Sequence, residues 1–227
     1  MSFFSPRYAV RHSEEYVKEK KYVFMSLCLL PTIMNCELNK NLAVFASGSG
    51  SNFEAIAQAC VDGRIPAKIV LLVCDNANAY AIERAKKFDI PTLVLHPRDC
   101  GGKPVYEQRI VDRLNELNVD LVCLAGYMRI VGETLYNAYA GRILNIHPAL
   151  LPSFKGAHGI DDAFNFGVKV FGVTVHFIDL TIDGGVIVMQ RAFEYYGSDR
   201  DEVEARIHAI EHELYPEAIK KCIIHNA

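Results

Sequence analysis

From Asn41 onward the chain repeats one alternation, a short unbroken apolar run followed by an amphipathic stretch. The apolar runs are LAVFAS (42–47), AKIVLLVCD (67–75), PTLVLH (91–96), DLVCLAG (120–126) and RILNIH (142–147). Helices are expected between them, near 53–61, 78–88, 103–117 and 132–139; in the third, Val111, Leu114 and Leu117 recur at helical spacing. A strand that is apolar at every position has to be covered on both faces, and the crossover helices of a parallel sheet supply that cover. The pattern predicts an α/β fold, a Rossmann-like, mostly parallel sheet with helices on both faces. Near the C-terminus the pattern changes. GVTVHFIDL (172–180) alternates, Thr-Ile-Asp-Gly-Gly turns, and VIVMQRAFEY (186–195) runs back, which predicts an appended antiparallel hairpin. A final helix is expected near 198–223, with Ser198 or Asp199 as its N-cap.

At 227 residues the chain fits one domain of ordinary size. We expect an N-terminal extension over 1–40, a single domain over 41–223 and a tail over 224–227. Within the extension, residues 13–21 are highly charged and end in KEKK, and YVFMSLCLLP supplies an apolar run of about nine residues, against about 20 needed to span a bilayer. Glu14, Glu15 and Glu19 occupy what would be the basic region of a signal peptide, so the favoured reading is a plain upstream extension, with Met34 as another possible start. A net charge of −3 argues against broad nucleic-acid binding but leaves room for a small anionic substrate. The seven cysteines are odd in number, form no C-x-x-C pair and sit largely in apolar runs. They are expected to be reduced thiols of a cytoplasmic protein, with no zinc-ligand pattern and no membrane partner.

Three short motifs carry chemistry. Gly48-Ser49-Gly50-Ser51-Asn52 falls between the first strand and the first helix. Glycines let the backbone approach an anion, and amides at a helix N-terminus favour negative charge. Phe53 stands where a dinucleotide fingerprint needs its third glycine, and no Gly-Lys-Ser/Thr follows, so a single phosphate fits best; a ligand-free Gly-rich turn is the other reading. In Asn145-x-His147-Pro148, strand alternation puts the amide and the imidazole on one face at a carboxyl end. That edge is where open α/β sheets bind ligands, and the 48–52 turn lies on it too. The imidazole can exchange a proton near neutrality and the amide can donate to an oxyanion, although a histidine at a strand end is as often structural. Asp183-Gly184-Gly185 reads as a turn aspartate with permissive glycines, or as a carboxylate placed to orient His147 and favour its charged form.

Together with LAGYMRI (124–130), LNIHPALLPSFKG (144–156) and TVHF ahead of DGG, these motifs resemble the phosphoribosylglycinamide formyltransferase family, folate-dependent enzymes of purine synthesis. The resemblance runs from about Asn41 to about Ile223 and keeps the family order of five motifs. It implies transfer of a formyl group from the co-substrate 10-formyltetrahydrofolate to glycinamide ribonucleotide, without a metal, by a monomer or homodimer. It further implies that Asn145, His147 and Asp183 are the catalytic trio, that Gly50, Ser51 and Asn52 hold the phosphate, and that Glu211 contacts the ribose. Met128, Arg129, Ile130 and Val131 would line the folate pocket and Asn145 would also contact the folate, with Tyr127 and Leu124 as apolar walls and 178–183 closing the far side. Lys103 stands where the family usually has an arginine; it keeps the charge but loses the planar fork. His158 is a secondary candidate, otherwise a surface-loop histidine. The Asn-x-His and Asp set is shared with formyltetrahydrofolate deformylases and methionyl-tRNA formyltransferases, and the Gly-Ser-Gly-Ser-Asn turn discriminates among them. The deformylases usually carry an N-terminal regulatory domain and the tRNA enzymes a C-terminal nucleic-acid-binding domain. A non-catalytic nucleotide- or folate-binding module is the alternative from another class.

Overall fold

Five consecutive residues of the first strand, Leu42 to Ala46, are fully buried, and they feed two separate cores. Leu42, Val44 and Ala46 point to one face of the sheet, Ala43 and Phe45 to the other. This is the two-sided burial that the unbroken apolar run requires. The computed structural model describes residues 40–225. The expectations for the charged segment, the apolar run, Met34, Cys28, Cys36 and the last two residues lie outside the described part.

Strands β1 (Lys40–Ala46), β2 (Ala67–Cys74), β3 (Thr92–Val94), β4 (Leu121–Leu124) and β5 (Ile143–His147) pair in parallel in the order β3-β2-β1-β4-β5. Strands β6 (Val170–Phe177) and β7 (Ile187–Glu194) extend the sheet antiparallel beyond β5. Helices α1 (Ser51–Val61), α2 (Tyr80–Lys87), α5 (Gly159–Phe166) and α6 (Arg200–His225) contribute to one core, and α3 (Lys103–Glu116) and α4 (Glu133–Ala138) to the other. The chain leaves β1 towards β2 and β3, then returns to place β4 on the opposite side of β1. The carboxyl ends of β1 and β4 therefore flank a topological switch point, the usual ligand crevice of such sheets.

An apolar pattern on both faces cannot set strand register, because a one-residue slip would still bury apolar side chains. Polar groups at the amino edge do it instead. Asn41 N donates to Asp120 Oδ2 at 2.8 Å and its side-chain amide donates to Leu117 O at 2.9 Å, fixing Leu42 opposite Leu121.

The structure shifts several expected boundaries. The first helix starts at Ser51 rather than Phe53. The last starts at Arg200 and runs past Ile223 to His225; Asp199 Oδ1 accepts from Asp201 N at 2.9 Å, so Asp199 and not Ser198 is the cap. Helix α5 was not expected at all. Its sequence, GIDDAFNF, is too short for a period to stand out, and packing of Ile160 and Ala163 forms it. The hairpin connection is a long excursion over 178–186 rather than a tight turn. The five described cysteines are free, and all but Cys60 are buried. Among the described residues no helix is long and apolar enough to cross a membrane.

Candidate active site

Where β5 meets β6 the sheet changes from parallel to antiparallel, and the register there assembles the polar cluster. Asn145 lies opposite His176, and His147 opposite Thr174. Residues directly opposite in an antiparallel pair project from the same face, so the alternate residues of Asn-Ile-His and Thr-Val-His meet side by side. His176 Nδ1 lies 2.9 Å from Gly184 O and 3.0 Å from Phe177 O. Carbonyls only accept, so Nδ1 carries the proton and Nε2 is an acceptor. Asn145 Nδ2 then donates to His176 Nε2, at 3.2 Å. This orients the amide of Asn145 and leaves its second N–H for a ligand.

His147 is 3% exposed. Its Nε2 is 2.8 Å from Phe154 O, so it bears a proton that it donates to the carbonyl. Its Nδ1 faces Asp183 Oδ2 at 3.5 Å. The same Asp183 oxygen accepts from Gly156 N at 2.6 Å, tying the 178–186 excursion to the loop after β5. Asp183 has φ 46° and Phe154 φ 52°, left-handed values that cost a non-glycine residue on the order of 1 kcal/mol each. Thr174, fully buried, donates to Ala149 O at 2.7 Å and accepts from Leu151 N at 3.0 Å; Gln190 Nε2 donates to Leu151 O at 3.0 Å. Those bonds fix the path of LLPSFKG, which contains a cis Leu151–Pro152 peptide, and so present the Phe154 carbonyl to His147.

The 48–52 turn lies at the end of β1 on the same edge. Gly50 has φ 73°, and a Cβ there would sit 2.6 Å from Ala81 Cβ. Helix α2 thus demands this glycine as strictly as an anion would. Asn52 Nδ2 does not point outward; it donates to Glu211 Oε2 at 3.0 Å. His208 Nδ1 reaches the same oxygen at 2.9 Å, and that hydrogen bond holds the His208 pKa above its ordinary value. Burial pushes the neighbouring His212 the other way. Two buried atoms here, Asn52 Oδ1 and His212 Nε2, have no hydrogen-bond partner. Glu211, 4% exposed on α6, is therefore joined to the turn and is not a solvated helix residue.

Between these centres runs the segment after β4. Met128 and Ile130 are 73% and 70% exposed. Met128 N donates to Ser47 Oγ at 2.9 Å, which ties the segment to the end of β1. Arg129 Nε lies 2.6 Å from Asp75 Oδ2, and Asp75, itself buried, keeps Oδ1 unpartnered. Asp75, Asn76, Val94, His96, Asp99 and Arg129 line a cleft of about 450 Å³ at the carboxyl ends of β2 and β3. Tyr127 stacks edge-on to Phe45, and its hydroxyl meets that of Tyr106 at 2.5 Å; burial pushes both phenols above their ordinary pKa. Val131 is half-buried against the second core and Leu124 is buried within it. Lys103 is exposed at the start of α3, and His158 is exposed at the start of α5. Among the described residues no cluster of three or more His, Cys, Asp or Glu is arranged to hold a metal.

Residues 40–219 match the formyl transferase family model. The chain belongs to the formyl transferase family. It is 47% identical over 185 residues to the phosphoribosylglycinamide formyltransferase of Bacillus subtilis (strain 168), covering 81% of this chain and 95% of that protein. To the enzyme of the same name from Haemophilus influenzae it is 41% identical over 182 residues, covering 80% and 86%. The crystal structure of phosphoribosylglycinamide formyltransferase from Bacillus halodurans superposes with a TM-score of 0.79 at 45% identity, covering 81% of this chain and 95% of that one.

Sequence reasoning missed His176, Thr174, Gln190, His208 and Asp75. His176 and Thr174 had a usable signal, since TVHF alternates beside a strand that ends in Asn-Ile-His. For Asp75 and His208, whose contacts are with Arg129 and with Glu211 and Glu204, no local pattern existed.

Proposed function

We propose that the protein transfers the formyl group of 10-formyltetrahydrofolate to the amine of glycinamide ribonucleotide. The observation that carries this reading is the His147–Asp183 pair beside Asn145, on the sheet edge that also bears the 48–52 turn. The name phosphoribosylglycinamide formyltransferase, carried by the relatives, supports the formyl group and its acceptor.

In this mechanism the substrate amine forms a bond to the formyl carbon while the carbonyl electron pair moves onto the formyl oxygen. The free N–H of Asn145 and the proton on His147 Nε2 stabilise that oxygen, which takes the place of the Phe154 carbonyl as acceptor. Asp183 stabilises the charged ring. The amine loses a proton, and the folate nitrogen gains one as its bond to the formyl carbon breaks. No Ser or Cys nucleophile is required, because the amine does that work. Each oxyanion donor of this kind is worth about a hundred- to thousandfold in rate. Gly50, Ser51 and Asn52 would receive the phosphate at the start of α1, and Glu211 the ribose. The exposed side chains of Met128 and Ile130, with Arg129, Val131 and Lys103 nearby, suit a flat heterocycle carrying an anionic tail.

An assay with both substrates tests the reading. Formyl transfer that depends on glycinamide ribonucleotide is expected. Formate release without the amine would instead indicate a deformylase. Thermal stabilisation by the ribonucleotide without turnover would indicate a binding module.

A further inference from the structure

The N-cap of helix α4 is Gly132, which has no side chain to do the capping. Its cap comes from another helix. Glu107 of α3 is 3% exposed, and its carboxylate accepts from Gly132 N at 2.6 Å and from Leu135 N at 3.3 Å. Those are the N-cap and N3 amides, the two that a capping box satisfies with two local side chains. One distant carboxylate does both here, at the positive end of the helix. Among the described residues no basic group lies within ion-pairing distance of Glu107, so the two amides are its compensation for burial.

The approach is close. A Cβ on Gly132 would lie 2.7 Å from both Glu107 oxygens and 2.7 Å from Lys103 Cε, although its φ of −96° suits any residue. The neighbouring Tyr106 holds Tyr127 through the hydroxyl pair. Adjacent residues in the first turns of α3 therefore grip both ends of the segment 127–132. Between those grips stand Met128 and Ile130, held out into solvent, with Met128 N on Ser47 and Arg129 on Asp75.

We infer that Glu107 is a positioning residue for the folate subsite: by capping α4 it fixes the backbone of Met128 to Val131 in its ligand-receiving shape. This rests on the functional reading above and assigns a role to a buried carboxylate outside the proposed catalytic trio. Removing the cap would let the segment fluctuate, so part of the binding energy would be used to order it again.

The test is calorimetric titration of 10-formyltetrahydrofolate into the full chain, alongside steady-state kinetics, for wild type, Glu107→Ala, Glu107→Gln and Gly132→Ala. Glu107→Ala should weaken folate binding about five- to tenfold, the scale of one lost helix cap. The KM for glycinamide ribonucleotide and kcat should stay within about twofold, since ribonucleotide and catalytic groups are held elsewhere. Glu107→Gln keeps one oxygen for Gly132 N and should recover most of the affinity. Gly132→Ala, which pushes aside the carboxylate together with the Lys103 side chain, should weaken folate binding at least as much if Glu107→Ala does not fold, with Lys103→Ala measured beside it to separate the two. Wild-type folate affinity in a folded Glu107→Ala or Gly132→Ala variant would overturn the inference, as would equal weakening for both substrates. A wild type that binds the folate but transfers no formyl group would fail the functional reading while the affinity comparison still decided the role of Glu107.

Discussion

The 48–52 turn and the end of β5 both present polar groups on the carboxyl edge of the sheet, and they are held in opposite ways. The turn is held mainly through its backbone. Gly50 takes a left-handed φ, Gly48 O accepts from Ala81 N of α2 at 3.1 Å, Ser49 O accepts from Arg84 Nε at 2.9 Å, and Glu211 on α6 reaches the side chain of Asn52. At the end of β5 it is the side chains that are held. His147 depends on Phe154 and Asp183, and Asn145 on His176, which Gly184 orients in turn. A binding surface made of backbone amides needs only the right dihedral angles. A catalytic pair needs two side chains in fixed orientations, and those must be held by partners from elsewhere.

The comparison can be broken most directly at Asp183. Asn is isosteric and tolerates left-handed φ, so Asp183→Asn should keep the fold while lowering kcat by about a hundredfold or more. Steady-state kinetics should show the KM for glycinamide ribonucleotide unchanged; a kcat within twofold of wild type would remove Asp183 from the mechanism. Gly50→Ala attacks the other region. A methyl group against Ala81, added to the positive φ, should destabilise the protein by about 1–3 kcal/mol in urea unfolding and raise the ribonucleotide KM while kcat changes little. An unaltered KM would mean that the turn does not receive the phosphate.

A smaller effect sharpens the contrast. His176→Gln frees the amide of Asn145 to rotate, and kcat should fall about tenfold, the scale of one hydrogen bond. If kcat holds, Asn145 is oriented by β5 alone. The smallest effect concerns His208. Glu211 raises its pKa above the ordinary 6.5, so the charged ring adds stability that is complete below about pH 6.5 and is lost as pH rises through the raised value. Glu204 and Arg200 act on the same ring with opposite signs. His208→Gln should therefore lower the thermal midpoint at pH 6 and leave it nearly unchanged at pH 9. Equal loss at both would show that the ring acts by packing and not by charge.

Legibility followed the same division. The five parallel strands could be read because two-sided burial leaves an unbroken apolar run, and the hairpin because apolar and polar residues alternate in it, although in β6 the polar Thr174 and His176 are buried as well. Helix α5 left no such trace in eight residues. At the site, Asn145 and His147 were visible as neighbours on one strand face, and Gly50 as a glycine that a turn requires. Met128 and Ile130 gave no cue to their exposure, since an apolar pair after a buried strand looks like core. Glu107 looked like one more acidic residue on an amphipathic helix.

Sequence alone determined the α/β class, the shared edge of the two motifs and the family to which the chain is similar. The class and the edge follow from periodicity and from residues close together in the chain, where covalent geometry limits the choices; the family rests on the resemblance of five motifs in order. Only the tertiary structure decided which acceptors flank His147, which way the amide of Asn145 faces, that Asn52 spends its donor on Glu211, and that a carboxylate from α3 caps α4. All but the His147–Phe154 contact join residues far apart in sequence, and the register of β5 on β6 and the packing of helices on the sheet bring them together.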